Sequence, residues 1–404
     1  MSSAPPPGLP PRIRSDASNA FAHHTMAVRV PAILEDVLRE NADYPPAVRQ
    51  RIAELQRALR DGARLPALPS NAPHAAEWMS ALESRPGEGW LSSDWFAVEN
   101  YLYRCLADAT EFWVTGRDPF APIKLAEYAG APHRAALEAA VAIGGTSGER
   151  IERWLLAALF GNRMDLSFAA SRERGVGADA ADLLVDERAR AREQLEHGLG
   201  PVHIIIDNAG TELSLDLVLA AGLLELLGCP VVLHVKRHPA FVSDALEQDV
   251  RWFIAGIEAR SAGLWAACSA AARACRERLA SALDSGRLKI APHAFWNGPA
   301  SLWELPDALE RELAAARLVI LKGDAHYRRA VGDALWAPET PFARVTSYFP
   351  APLLALRTLK SDPIVDLPPG MAERLDAEDP RWRVNGRRAV ASLGGQPPPH
   401  LRHG

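Results

Sequence analysis

Cysteine is scarce in this chain of 404 residues: four, at Cys105, Cys229, Cys268 and Cys275, with no Cys-x-x-Cys pair. That spacing excludes a disulfide framework and predicts reduced, mostly buried thiols in a cytoplasmic protein. No apolar run approaches the roughly 18 residues of a membrane span. No signal-peptide core opens the chain, and no internal repeat is visible. An excess of either charge is missing too. Forty-five Lys and Arg against 50 Asp and Glu leave a net charge of -5 and a pI near 6.2. This argues against nucleic acid as the main partner, while local basic clusters can still serve a small anionic ligand. The one glycine cluster that invites a phosphate-loop reading, GGTSG at Gly144 to Gly148, lacks the Gly-Lys-Ser/Thr ending, and no strand precedes it. It reads as a connector between helices.

What is present is apolar content of 48%, enough for a full core, in a length suited to two or three average domains or one large one. Residues 1–20, with PPPGLPP, and 394–404, GGQPPPHLRHG, read as disordered tails. Residues 21–198 read as a helical subdomain. Its aromatic-rich stretch contains Trp95, Tyr101, Tyr103, Phe112 and Trp113, most simply taken as core. From 199 to 393 the pattern becomes strand and helix in alternation. Apolar runs at 202–206, 230–235, 287–292, 317–324 and 352–358 predict an α/β fold with a mostly parallel, doubly wound, Rossmann-like sheet.

The stretch VHIIIDNAGTE, Val202 to Glu212, organises the rest. A continuously apolar run predicts a strand buried on both faces. It stops on Asp207 and Asn208, turns at Ala209-Gly210, and enters a long amphipathic helix closed by Gly228. This places a carboxylate and a carboxamide at the carboxyl end of a parallel strand, where open α/β sheets bind ligands. Two oxygen donors suit a hard or borderline divalent cation. Asp-Asn-x-Gly is equally ordinary turn chemistry.

Four strand ends carry such residues: Asp207-Asn208, then Ser243-Asp244 after a loop, then Lys322-Gly323-Asp324, then Arg357-Thr358-Leu359-Lys360. In a parallel sheet they converge, setting a cation site beside an anion site, as metal-assisted phosphoryl chemistry requires. Each has a plainer alternative. Asp244 with Glu247 fits a capping box, Asp324 fits a helix cap, and Lys322 and Lys360 fit solvated charges. His234 and His238, four apart, lack the supporting pattern of a zinc site.

The segments LFGNRMDLS (Leu159 to Ser167), IIIDNAGTELSLDLVLA, VVLHVKRHPAFVSDA, LVILKGDAHYRRAVGD and LRTLK resemble the damage-control phosphatases, the group built on domain of unknown function 89. WFAVENYLYR and DPF fit as well. Arg-Thr-x-Lys at Arg357 to Lys360 resembles the subgroup related to a protein also described as an acidic-residue methyltransferase. The resemblance covers roughly residues 25–370. It implies a metal-dependent phosphatase acting on sugar phosphates such as fructose 1-phosphate. It also implies a single divalent ion (Mn²⁺, Co²⁺, Ni²⁺ or Mg²⁺) held by Asp207, Asn208 and Asp244. Asn162, Glu212, Asp324, His326, Tyr327, Arg328 and Lys360 then match ligand-binding positions. Lys322, Arg328 and Lys360 would neutralise the phosphate. Ala325-His326 stands where many members have Leu-Asn, which bears on substrate identity. Two rival classes are an S-adenosylmethionine-dependent carboxyl methyltransferase and a non-catalytic sugar-phosphate-binding protein. The first lacks its glycine-rich loop after the strand at 202–206. The second has no need of the intact Asp-Asn and distant Asp.

Overall fold

The structure, a computed structural model, describes residues 4–84, 87–161, 182–255, 265 and 267–396. Seven strands form one sheet: β1 Leu183–Asp186, β2 Val202–Ile205, β3 Val231–Val235, β4 Leu288–Pro292, β5 Leu318–Lys322, β6 Pro352–Thr358 and β7 Ala389–Gly395. Their order is β1-β7-β6-β5-β2-β3-β4. Strands β2 to β6 pair in parallel, as the alternating pattern predicts. β7 pairs antiparallel with β6, and β1 lies parallel to β7 at the edge. These two strands are additions to the expected set. β1 is short and falls within the stretch read as helical, and β7 runs against its neighbour β6 between flanks too polar or proline-rich to mark it.

β2 is buried throughout because apolar matter covers both faces. Ile204 and Ile206 face one core cluster and Ile205 the other, following the twofold alternation of a strand. Each such side chain contributes about 1.5–3 kcal/mol by leaving water. Helices Ala131–Val141, Ser147–Leu159, Gly210–Leu226 and Ala270–Asp284 cover the first face. Helices Asp307–Ala314 and Gly323–Val331 cover the second. The helix Gly210–Leu226 departs from the amphipathic expectation. It is buried almost all round, as befits a helix packed between the sheet and other helices. At Gly222 a Cβ would lie 2.1 Å from the Trp154 ring, so only glycine lets these helices approach so closely.

A third cluster, around Trp90, Trp95, Tyr101 and Tyr103, is the core of the N-terminal helices. Phe112 and Trp113 are only half-buried. The N-terminal segment corrects the expectation of a disordered tail. Ile13 is buried, its N–H donates to Asp333 O at 2.8 Å, and its carbonyl accepts from Trp95 N. Arg12 and Arg14 form bridges with Ala334 and Asp94. Those partners lie far along the chain, so local composition gave no sign of them. At the other end, Gly394 and Gly395 complete β7. Residues 397–404 lie outside the described ones.

Chain order and spatial order diverge at β2. From it the chain steps outward through β3 and β4, then returns to its other side for β5 and β6. The carboxyl ends of β2 and β5 therefore flank the topological switch point, where a crevice opens.

The helix that follows β2 is fixed in part by His133. His133 is buried, and its Nε2 lies 2.8 Å from Ser214 Oγ. Ser214 Oγ also lies 3.0 Å from Gly210 O, which ties the ring to the first turn of the helix. Burial pushes the imidazole down to about 4, so it folds neutral. A lowered folded-state value means the unfolded chain binds the extra proton first. Stability is full above about 6.5 and is lost as pH falls toward 4. Urea unfolding at pH 7 and pH 5 should show this ring removing about 2 kcal/mol at the lower pH. His133→Gln, which keeps a hydrogen-bonding group without the titration, should flatten that part of the slope.

Candidate active site

The residues at the switch point are brought together by backbone pairing as well as by strand direction. Ile206 N–H continues the β2–β3 ladder to His234 O, Ala209 N–H donates to Ser243 O, and Ala245 N–H donates to Asp207 O. Asn208 and Asp244 form an antiparallel bridge. The capping reading of Asp244 gives way here, because Leu246 N–H is taken by Asp249 Oδ2 at 2.8 Å. Asp244 is left facing the crevice. Asp324, at the start of the helix Gly323–Val331, caps nothing either. It accepts from Arg357 Nε at 2.8 Å and from Lys360 N at 3.1 Å.

Asp207, Asn208, Asp244, Asp324, Arg328 and Lys360 all line one cavity of about 130 Å³. Ser243 and Phe241 come to it from the β3 loop, and Thr25, Arg29, Trp95, Glu99 and Tyr103 from the N-terminal helices. The amide of Asn208 is fully engaged. Its Nδ2 donates to Asp207 Oδ2 at 3.0 Å and to Glu212 Oε2 at 2.8 Å, and its Oδ1 accepts from Ser243 Oγ at 2.6 Å. Gly323 makes the approach of β5 possible. Its φ is +80°, and a Cβ there would lie 1.9 Å from Asp207 Oδ2.

Not every expected residue reaches the cavity. Lys322 is wholly buried beneath it, with Nζ 3.0 Å from Glu212 Oε1, 2.9 Å from Asp216 Oδ1 and bonded to Ala158 O. It is neither a solvated charge nor free to meet a phosphate. Glu212 stands between Lys322 and Asn208, outside the cavity lining. His326 is buried against Trp296. The Tyr327 hydroxyl accepts from Val365 N, and the Arg357 guanidinium lies over its ring. These last two residues support the wall of the site. Arg328 lines the cavity, but its charge is committed to Glu99 and Asp333, each at 2.7 Å. Asn162 lies outside the described residues.

Lys236 is a residue that the strand-end argument passed over. It follows β3 directly, is buried, and places Nζ 3.1 Å from Asp244 Oδ2 and 2.7 Å from Trp296 O. Its position one residue past a buried strand was the available signal.

The electrostatics follow from this burial. Asp207 is pushed well above the usual carboxylate range by burial, then by Asp244 and Glu212. Burial also raises Asp244, against the pull of Lys236. Burial acts against Glu212 as well, but Lys322, Lys360 and the Asn208 amide outweigh it and hold Glu212 low. Lys236 is drawn down by burial despite Asp244. Two carboxylates and a carboxamide oxygen therefore crowd a spot where positive charge is lacking. That donor set fits a divalent cation.

A second group of possible metal ligands stands apart from the cavity. His203, His234 and Glu312 offer donor atoms within 4.8 Å of one another. His203 Nδ1 and His234 Nε2 already share a hydrogen bond of 2.8 Å, and Glu312 is largely exposed. His234 is not paired with His238, whose Nδ1 lies against Pro239 O.

Fold and pocket together define an α/β enzyme with oxygen donors and cations gathered at a switch-point crevice. The model of the damage-control phosphatase ARMT1-like domain matches residues 25–375. Damage-control phosphatase ARMT1 of Mus musculus is 31% identical over 351 residues, covering 78% of each chain. That of Danio rerio is 29% identical over 444 residues, 95% of this chain and 97% of the other. A crystal structure of a DUF89 family protein from Pyrococcus horikoshii superposes with a TM-score of 0.49 at 13% identity, covering 93% of this chain and 98% of that one. The chain belongs to the damage-control phosphatase ARMT1-like family, and it is a phosphatase. Among the described residues no helix is long and apolar enough to cross a membrane.

Two substitutions probe this geometry. Gly323→Ala should displace the Asp207 carboxylate and lower phosphatase activity about a hundredfold, since misplacement near 1 Å has that effect. Circular dichroism should show the fold retained. Lys236→Met should cost the metal-free protein about 3–5 kcal/mol in denaturant unfolding, because Asp244 loses its partner. Adding Asp244→Asn should restore part of that loss.

Proposed function

We propose that this chain hydrolyses phosphomonoesters of small sugars, of the fructose 1-phosphate kind, or related damaged phosphometabolites. The observation that carries this reading is the convergence of Asp207, Asn208 and Asp244 on one cavity wall, with Lys360 beside them. Asp207, Asn208 and Asp244 would hold one divalent ion, Mn²⁺, Co²⁺, Ni²⁺ or Mg²⁺. When bound, such an ion polarises a phosphoryl oxygen and lowers the pKa of water. In the reaction the oxygen of water bonds to phosphorus, the bond from phosphorus to the ester oxygen breaks, and a proton ends on the sugar alcohol.

The chain's own residues have distinct tasks. Ser243 and Glu212 fix the Asn208 amide by hydrogen bonds on both its ends. Lys236 holds the Asp244 carboxylate from below. Lys360 lies close enough for its charge to act on Asp207 and Glu212, and it supplies a point charge for phosphate. Asp324 is kept below the usual carboxylate range: burial opposes this, and Arg357 and Arg328 prevail. It offers an ionised acceptor to a substrate hydroxyl. Trp95, Tyr103 and Phe241 give the cavity apolar walls that restrict water. Four free cysteines accord with a reducing, cytoplasmic setting.

The test is phosphate release from sugar phosphates and p-nitrophenyl phosphate with each metal and with chelator, beside Asp207→Ala. Metal-dependent release, lowered at least a hundredfold in the variant, is the expected result. Folded protein that releases phosphate from no substrate with any metal would count against the reading.

A further inference from the structure

The helical run from Ala20 to Glu40 is interrupted by a π-turn over Thr25–Arg29, closed by a bond from Val30 N–H to Thr25 O. Such turns sit preferentially at functional sites, because the additional residue re-aims side chains. Here the shifted register brings Phe21, Thr25, Arg29, Val30 and Ile33 to the cavity from one helical face.

Arg29 differs from the other cations of the site. Arg328 is bound to Glu99 and Asp333. Lys322 and Lys236 lie beneath the cavity in buried ion pairs. Among the described residues, Arg29 and Lys360 are the cavity-lining cations whose side chains form no hydrogen bond or ion pair, and both are exposed to it. They come from different walls. Lys360 acts on Asp207 and Glu212, whereas Arg29 acts on Glu99 and Tyr103.

The charge balance gives these two groups their purpose. The lining carries Arg29, Arg328 and Lys360 against Glu99, Asp207, Asp244 and Asp324. A divalent ion held by Asp207, Asn208 and Asp244 would offset part of this negative charge and meet one phosphoryl oxygen, and the remaining oxygens of a phosphomonoester dianion need uncommitted cations. An exposed arginine with a free planar fork is the group best matched to phosphate oxygens.

We propose that Arg29 is the substrate anchor of this pocket, gripping the phosphoryl group from the side opposite Lys360. This rests on the phosphatase reading above. It makes the N-terminal helix part of the binding site, so that substrate joins that helix to the sheet.

The test compares wild type, Arg29→Ala and Arg29→Lys, all metal-saturated, with p-nitrophenyl phosphate as substrate and inorganic phosphate as competitor. Loss of charge-assisted bonds should raise KM and the phosphate inhibition constant about tenfold to a hundredfold in Arg29→Ala. Arg29→Lys should recover part of this. The loss should fall mainly on KM, with metal affinity and thermal unfolding at wild-type values, which a merely structural role would not give. Unchanged KM and phosphate inhibition in folded Arg29→Ala would overturn the proposal. Should wild type hydrolyse nothing, calorimetric binding of inorganic phosphate to the metal-loaded protein separates the two ideas. Weaker phosphate binding by Arg29→Ala would uphold the anchor while hydrolysis falls. Equal binding, or none by wild type, would overturn the anchor as well.

Discussion

Burying carboxylates together is the constraint on which the rest of this structure depends. Asp207, Asp244 and Glu212 are all buried at one end of the sheet. Like charges about 5 Å apart repel by roughly 3 kcal/mol at an effective dielectric of 20, before any desolvation. The surrounding residues answer in a definite order. Lys322 compensates Glu212 and Asp216, Lys236 compensates Asp244, and the Asn208 amide is interposed between Asp207 and Glu212. Asp207 has no cation bonded to it among the described residues, and burial, with Asp244 and Glu212 beside it, raises its carboxyl well above the usual range. The deficit of positive charge is thus local. It sits where the donors face the cavity rather than beneath them.

This arrangement separates two kinds of lysine that look alike in sequence. Lys322 ends a strand beside a glycine and an aspartate, the setting of a phosphate-binding residue, yet it spends its charge below the floor. Its value is raised because Asp216 and Glu212 outweigh burial. Lys236 is drawn the other way, since burial and Arg329 act against it. Both fix the position of carboxylates. Neither reaches the open cavity, which leaves phosphate recognition to groups on its rim.

Strands β2, β3, β5 and β6 were legible because they are mainly apolar on both faces, and that pattern follows directly from burial beneath two helical layers. Asp207, Asn208 and Asp244 were legible for a related reason: a buried run that stops on polar residues exposes them at one edge. β1 was hidden because it is short and lies among helical sequence, and β7 because it is reversed and flanked by polar and proline-rich sequence. The ordering of Ile13 was hidden because its partners, Trp95 and Asp333, are remote. Arg29 was invisible for a different reason. In sequence it is one arginine on a helix, and only the π-turn and the fold of the helix across the crevice give it a role.

Two departures from regular backbone flank the cavity from unrelated parts of the chain. One is the π-turn at Thr25–Arg29. The other is the β3 loop, where Phe241 and Val242 both have positive φ, at 47° and 71°, and Ser243 N–H bonds back to Phe241 O at 2.9 Å. A β-branched residue in that region costs of order 1–3 kcal/mol and persists only where its surroundings fix it. The loop is fixed at both ends: Phe241 and Val242 pack on the N-terminal core, while Ser243 bonds to Ala209 and Asn208. Relaxing the loop would release Ser243 and with it the Asn208 oxygen. The N-terminal helices thus supply one wall of the pocket and, by holding Phe241, also maintain the backbone shape that orients a donor on the opposite wall.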